Sequence, residues 1–320
     1  MGPPDRGAAQ RVGGVDPAVK VSANALLAVR DLDSDAPFRR GSAIRQVVGE
    51  PVMALALERA LVMCVAHPKV AAAVKDHSRF RRQPVGRLWA TVDAALRLVF
   101  GSGRVPTEAA EQIYRTHDRI NGWLPAADGT SDEAYTAHDV TLLVWVWGAL
   151  VDSCTVAYSR WVAPWSAGEA DAFYDDMCTF ARFFGIPEPV IPSNRRHFAA
   201  YLEEMFSGGE LGSTEASRQV AAEIVSFCRW YAPRPVLQPL RRAALATLDP
   251  RLRQALNLVS SERDQQAFER LERFLAAFYP HLPGWRVNLP YLYLWMRQPV
   301  VGVWATWASR GLVGRRADVR

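Results

Sequence analysis

Of the six histidines in this 320-residue chain, His117 is the first place to look for chemistry, in the stretch YRTHDRINGW (114–123). Ile113 and Ile120 lie about one turn to either side, so periodicity puts its imidazole mid-helix on an apolar face. An imidazole there is a satisfied core group, a general base or a ligand. A second stretch, GRLWATVDAALRLVF (86–100), carries Arg87 and Thr91 four residues apart, hence on one face, beside Leu88, Ala95 and Leu98. An arginine in such company needs an anionic partner, because an unpaired buried charge is costly. Asp76, Asp93 or Glu111 could supply one in an ordinary ion pair.

A bound haem would answer to both stretches. His117 would be its axial ligand, Arg87 would meet a propionate or stand as a polar distal group, and Thr91 would donate a hydrogen bond near the iron. Two more histidines are candidates for assisting catalysis on the distal side. His67 precedes Pro68 at a helix end, where an imidazole can equally satisfy the last free carbonyls. His77 lies in the polar connection KDHSRFRRQP (75–84), where exposure or capping is the plain alternative. Other signatures are absent: there is no HExxH, no glutamate three residues before any histidine, no CxxCH, no GxSxG and no P-loop.

The elements that must hold these residues read as helices throughout, with no sustained strand alternation. Expected helices cover 17–31, 42–66 (ending at His67-Pro68), 69–76 and 84–100. The helix bearing His117 starts with Thr107 as its cap and leaves through Gly122. A helix buried all round follows from about 137 to 162, and its apolar run VTLLVWVWGALV (140–151), closed by Asp152, is too short to span a bilayer. Ser166 caps the next helix, and others are expected at 194–206, 214–229, 236–247, 250–258 and 261–278. The reading is all-α: a mobile tail at 1–16, one multi-helix domain at 17–288, and an aromatic-rich segment at 289–320 that packs on the domain or touches a membrane surface.

Composition narrows the function. A net charge of +5 comes from scattered arginines without a base-reading motif, so no nucleic-acid partner is expected. Cys64, Cys154, Cys178 and Cys228 are far apart among apolar neighbours, as reduced buried cysteines are. The N-terminal stretch lacks a signal-peptide core, which suggests a cytoplasmic protein, with membrane association through the C-terminal segment as a further expectation. Eleven tryptophans call for a large core or a wide pocket, and Trp89, Trp145 and Trp147 are candidates for lining either.

Read together, five blocks resemble the MpaB/latex-clearing-protein oxygenases: GEPVMALALERALVMCVAHPKVAAAVKDHSRF (49–80), GRLWATVDAALRLVFG (86–101), THDRINGW (116–123), AYTAHDVTLLVWVWGALVDSCTVAYSRWV (134–162) and PWSAGEADAFYDDMCTFARFFGIP (164–187). The resemblance implies a globin-like all-α core holding non-covalent haem b, and dioxygen chemistry on a hydrophobic small molecule such as an isoprenoid or specialised metabolite. By motif it makes His117 the proximal iron ligand and matches Arg87 and Thr91 to the family's RxxxT pair. Two positions depart from the latex-clearing pattern: Ala90 replaces a lysine, and Ala71 stands where a catalytic carboxylate is expected. The alternatives are a non-catalytic haem protein for sensing, storage or electron transfer, and a cofactor-free lipid-interacting helical protein. No electron donor is legible in the sequence.

Overall fold

The computed structural model describes residues 37–77, 84–124, 132–227 and 234–296. Within them the chain forms thirteen α-helices and one two-stranded sheet. The first half holds α1 (Ala43–Gly49), α2 (Ala54–Ala66), α3 (Pro68–His77), α4 (Pro84–Phe100) and α5 (Val105–His117). Strands β1 (Asn121–Leu124) and β2 (Glu133–Thr136) follow, then α6 (Val140–Trp161), α7 (Ala167–Arg182) and α8 (Arg195–Ser207). The last helices are α9 (Glu215–Phe227), α10 (Arg234–Thr247), α11 (Pro250–Ala255), α12 (Glu262–Phe278) and α13 (Leu289–Met296). The expected helix at 17–31, the tail at 1–16 and Cys228 lie outside the described residues.

Proline explains two breaks between helices, the one at Pro51 unexpected and the one at His67-Pro68 expected from the sequence. The stretch 42–66 is two helices, not one, with a 3-10 turn at Pro51–Met53 between them. Glu50, the residue before Pro51, is extended (φ −71°, ψ 121°), as clash with the proline ring demands. His67 before Pro68 is extended for the same reason (ψ 126°), and the chain bends there by 104°. Capping is local and well formed at α7, where Ser166 and Glu169 make a reciprocal capping box. At α6, Asp139 accepts from the Thr141 amide.

The core is assembled on α2, which packs against α3, α6, α9 and α10. α6 is buried nearly all round, and Trp145 and Trp147 are 0% and 2% exposed. Each burial removes roughly 200 Å² from water, about 5 kcal/mol at ~25 cal/mol per Å². Neither indole N–H is left unpaired: Trp145 Nε1 donates to the Met63 carbonyl (3.1 Å) and Trp147 Nε1 to the Met177 carbonyl (2.7 Å). By length and composition α6 could cross a membrane, but 61% of its most apolar window is buried inside the protein. It also carries Asp152 and Ser153 into that interior.

Those two residues receive the buried guanidinium of Arg59 on α2. Nη2 donates to Asp152 Oδ2 (2.6 Å), Nη1 to Ser153 Oγ (2.7 Å) and Nε to the Thr247 carbonyl of α10 (3.2 Å). One side chain thus ties three helices together. Removing one partner of such a pair leaves a charge in the interior, so Arg59→Met should cost about 3–5 kcal/mol in urea unfolding. The double variant Arg59→Met/Asp152→Leu should recover much of that loss, and an equal loss in both would show that charge pairing is not what holds this junction.

Candidate functional site

A helical hairpin sets the level of the candidate residues. α4 and α5 are joined by four residues and pack against each other, with Arg97 Nη1 donating to Gln112 Oε1 (2.9 Å). Six residues back along α4, about 9 Å, Thr91 comes level with the last turn of α5, which ends in His117. His117 is therefore at a helix terminus rather than mid-helix. The helix also starts earlier than expected, from Arg104 with Pro106 in its first turn, so Thr107 is an internal residue and not the cap. Proline is pre-set for a first turn, which explains the shift.

The chain leaves His117 through a turn into β1, which pairs antiparallel with β2. Strands of four residues are too short to show alternation, so the sequence reads as helix and loop here. Gly122 lies within β1, opposite Tyr135, and not at a left-handed helix exit. Its missing side chain makes room for that ring: a Cβ would come within 2.5 Å of the Tyr135 hydroxyl. Tyr135 in turn donates to Asp76 Oδ2 of α3 (2.7 Å), and burial together with Asp76 pushes its phenol well above the usual range.

Around His117 the structure collects groups that spacing alone does not bring together. The His138 ring lies 5.9 Å from that of His117 and 4.5 Å from that of Tyr114. His138 Nε2 is 2.8 Å from Asp118 Oδ1. His138 could not be singled out from sequence, because it is 21 residues away in the loop after β2, and only hairpin closure brings it back. His117 itself is half-buried, neither a sealed core histidine nor a free surface one.

The other candidates are placed as follows. His77 is exposed at the end of α3, and its Nε2 hydrogen-bonds the Asn121 carbonyl of β1 (2.7 Å), four residues beyond His117. His67 is buried at the α2–α3 bend, its Nδ1 accepting from the Lys69 amide (3.3 Å) and its Nε2 3.3 Å from Glu210. Thr91 is exposed on α4, and the side chain of Arg87 lies outside the described residues. Ala71 is buried in the core and Ala90 exposed, so neither position supplies a proton-transfer group. Trp145 and Trp147 are core residues, whereas Trp89 is 55% exposed and stacks on Tyr293 of α13. Cys64, Cys154 and Cys178 are free thiols, which burial pushes up to about 12, 12 and 11, so all three stay protonated at neutral pH.

Two observations bear on what the site can hold. Among the described residues no three His, Cys, Asp or Glu side chains converge as a bare metal ion needs. Yet among the described side chains of α4, Leu98–Phe100 are fully covered, Val92–Arg97 half-covered and Trp89–Thr91 exposed. A helix face of this kind, level with one half-buried histidine, suits a large apolar group held by a single nitrogen donor.

His67 yields a pH prediction. Burial first, then Lys69, holds its imidazole down to about 4, against 6.5 in the unfolded chain. Between those values the unfolded state binds the extra proton, so this residue's effect is to lower stability as pH falls from about 6.5 to about 4. The full difference is on the order of 3 kcal/mol. Urea midpoints across this range should fall less steeply for His67→Asn than for the natural chain, and parallel slopes would disprove the buried neutral state.

Comparison with known proteins adds the family. Neither a curated protein nor a solved structure matches the chain. The profile described as "ER-bound oxygenase mpaB/B'/Rubber oxygenase, catalytic domain" matches residues 45–277, spanning all the elements from α2 to α11 and most of α12. The order of the blocks, the all-helical core and this match agree, and the chain belongs to the MpaB/rubber oxygenase family as an oxygenase catalytic domain.

Proposed function

We propose that the protein is a haem b-dependent oxygenase that uses dioxygen on a hydrophobic small molecule, of isoprenoid or specialised-metabolite type. The observation that carries this reading is His117 at the end of α5, level with the incompletely covered stretch of α4, inside an oxygenase catalytic domain. When bound, haem would supply the dioxygen activation that no protein side chain offers.

The chain's own residues have distinct parts in this reading. His117 would hold the haem iron through a neutral imidazole nitrogen. Arg87 would neutralise a propionate or stand on the distal side, and Thr91, one turn along α4, would donate a hydrogen bond. The hairpin that follows His117 fixes the exit of α5: His77 holds the β1 carbonyl of Asn121, and Tyr135 anchors the sheet to Asp76. Such supports limit how far a ligating ring can swing. With alanine at positions 71 and 90, the reading stops short of polyisoprene cleavage. A non-catalytic bis-histidine haem protein is the weaker reading, since His67 is flanked at both ring nitrogens and His77 Nε2 is engaged with Asn121.

The family description includes ER-bound members, and this chain exposes Phe274, Phe278, Trp285 and Leu292 towards its C-terminal end. We infer that this end touches a membrane surface. Exposed aromatics of this kind suit the interfacial region of a bilayer.

Two measurements test these readings. The purified protein should show a strong Soret band that is lost or greatly weakened in His117→Ala, with lower haem retention or turnover in Arg87→Ala. A haem-replete His117→Ala would overturn the axial assignment, and a natural chain that takes up no haem would overturn the cofactor. In liposome flotation the natural chain should rise with the vesicles and Trp285→Ala/Leu292→Ala should do so several-fold less; equal recovery would remove the membrane contact.

A further inference from the structure

A cavity of about 650 Å³ opens between α1, the end of α4 and the turn preceding α13. One wall, the turn at 284–288, packs closely on α1 because Gly49 has no side chain: a Cβ there would come within 2.6 Å of the Val287 carbonyl. The carboxylate in its lining is Glu50, and that group is spent. It takes both Nε (2.8 Å) and Nη2 (3.1 Å) of Arg286 and the Tyr279 hydroxyl (2.5 Å), which neutralises Arg286.

Two arginines in the same lining have no such partner. Arg45 is 6% exposed, yet among the described residues no carboxylate pairs with it. Its Nε donates to the Val99 carbonyl (2.9 Å) and its Nη1 to the Tyr291 hydroxyl (2.7 Å), and its guanidinium lies over the rings of Phe100 (5.8 Å) and Tyr291 (5.5 Å). Arg40, exposed at the rim, lies over the same Tyr291 ring at 5.9 Å and is likewise without a described carboxylate. Capping the end of α4 accounts for one donor of Arg45 and about half a charge. Among the described residues no carboxylate offsets the remaining charge and no acceptor takes Nη2, which is not sealed from the cleft and is open to an anionic ligand there.

We propose that this cleft is an anion-binding subsite, in which Arg45 and Arg40 receive the phosphate or carboxylate head of an amphiphilic molecule. The volume is that of a small-ligand pocket. The apolar wall of Phe100 and Val287, with exposed Trp285 and Leu289 on the same turn, suits a hydrocarbon tail. The subsite is separate from the His117 end of the hairpin: Val99 lies eight residues from Thr91, about 12 Å along α4. It therefore does not rest on the haem reading.

Calorimetry with dodecyl phosphate below its micellar concentration tests it, with dodecyl maltoside as the neutral head on the same tail. The natural chain should bind the phosphate, and Arg45→Gln should weaken it by about tenfold or more. Because Arg45 also caps α4, Arg40→Gln serves as the variant that leaves the fold intact, with an expected loss of roughly three- to fivefold. Equal affinity for the maltoside, or an unchanged Arg40→Gln, overturns the proposal. Phosphatidylcholine vesicles with and without phosphatidic acid then separate the sources. Flotation on the acidic vesicles that falls in Arg40→Gln marks a bilayer headgroup. Binding of monomeric dodecyl phosphate without it marks a free amphiphile, and absence of both overturns the subsite.

Discussion

Arg59 is placed where an arginine is hardest to keep, 4% exposed at the centre of the bundle. The structure meets that cost with directed partners on every side: Asp152 and Ser153 from α6, the Thr247 carbonyl from α10, and Met63 Sδ from its own helix. Because the guanidinium is planar, these bonds fix the rotation of α6 and α10 about α2, not merely their approach. Hydrophobic burial alone would tolerate sliding, since leucine and valine faces are interchangeable at ~1 kcal/mol. The polar junction removes that freedom, and with α6 so fixed, Trp145 and Trp147 reach the carbonyls of α2 and α7 that satisfy their indoles.

From this centre the molecule becomes progressively less filled. α4 and α5 form a hairpin at the periphery, and among the described side chains of α4 the last three are fully buried. A soluble bundle normally covers such an apolar helix, so its open stretch is where a ligand can contribute burial that the protein does not. The β-hairpin after His117 braces this edge through Tyr135 and Asp76, and it returns His138 and Asp118 to the histidine. A rigid scaffold supporting a loosely covered edge lets a ligand fill space without reorganising the core.

The C-terminal part runs along α4. Tyr291 packs edge-on against Phe100 and accepts a hydrogen bond from Arg45, while Tyr293 stacks on Trp89 and donates to Asp93. Thus α13 touches α4 through Tyr291 at its buried end and Tyr293 beside Trp89, which stays half exposed, and the turn before it forms one wall of the arginine-lined cleft. Both Arg286 and Arg45 face that cleft charged, but Glu50 offsets the charge of Arg286, whereas no described carboxylate offsets that of Arg45.

Much of the fold was legible because helices are made of local contacts. Ser166 three residues before Glu169 is a capping box wherever it occurs, and the apolar run of α6 could only be a buried helix. His117 could be named as a candidate from its neighbours at helical spacing, and the order of five blocks carried the family. What depended on distant residues could not be read. Pro51 was visible, but helical periodicity on both sides of it hid the break. The β-hairpin rests on strands of four residues, with Tyr135 anchored 59 positions away on Asp76. The pairing of His138 with His117, and the bond between Arg45 and Tyr291 across 246 positions, follow only from how the helices pack. Sequence alone thus determined most of the helices and offered His117 as a candidate; tertiary structure decided its neighbours and which arginines meet a carboxylate, because pairing depends on distance in space.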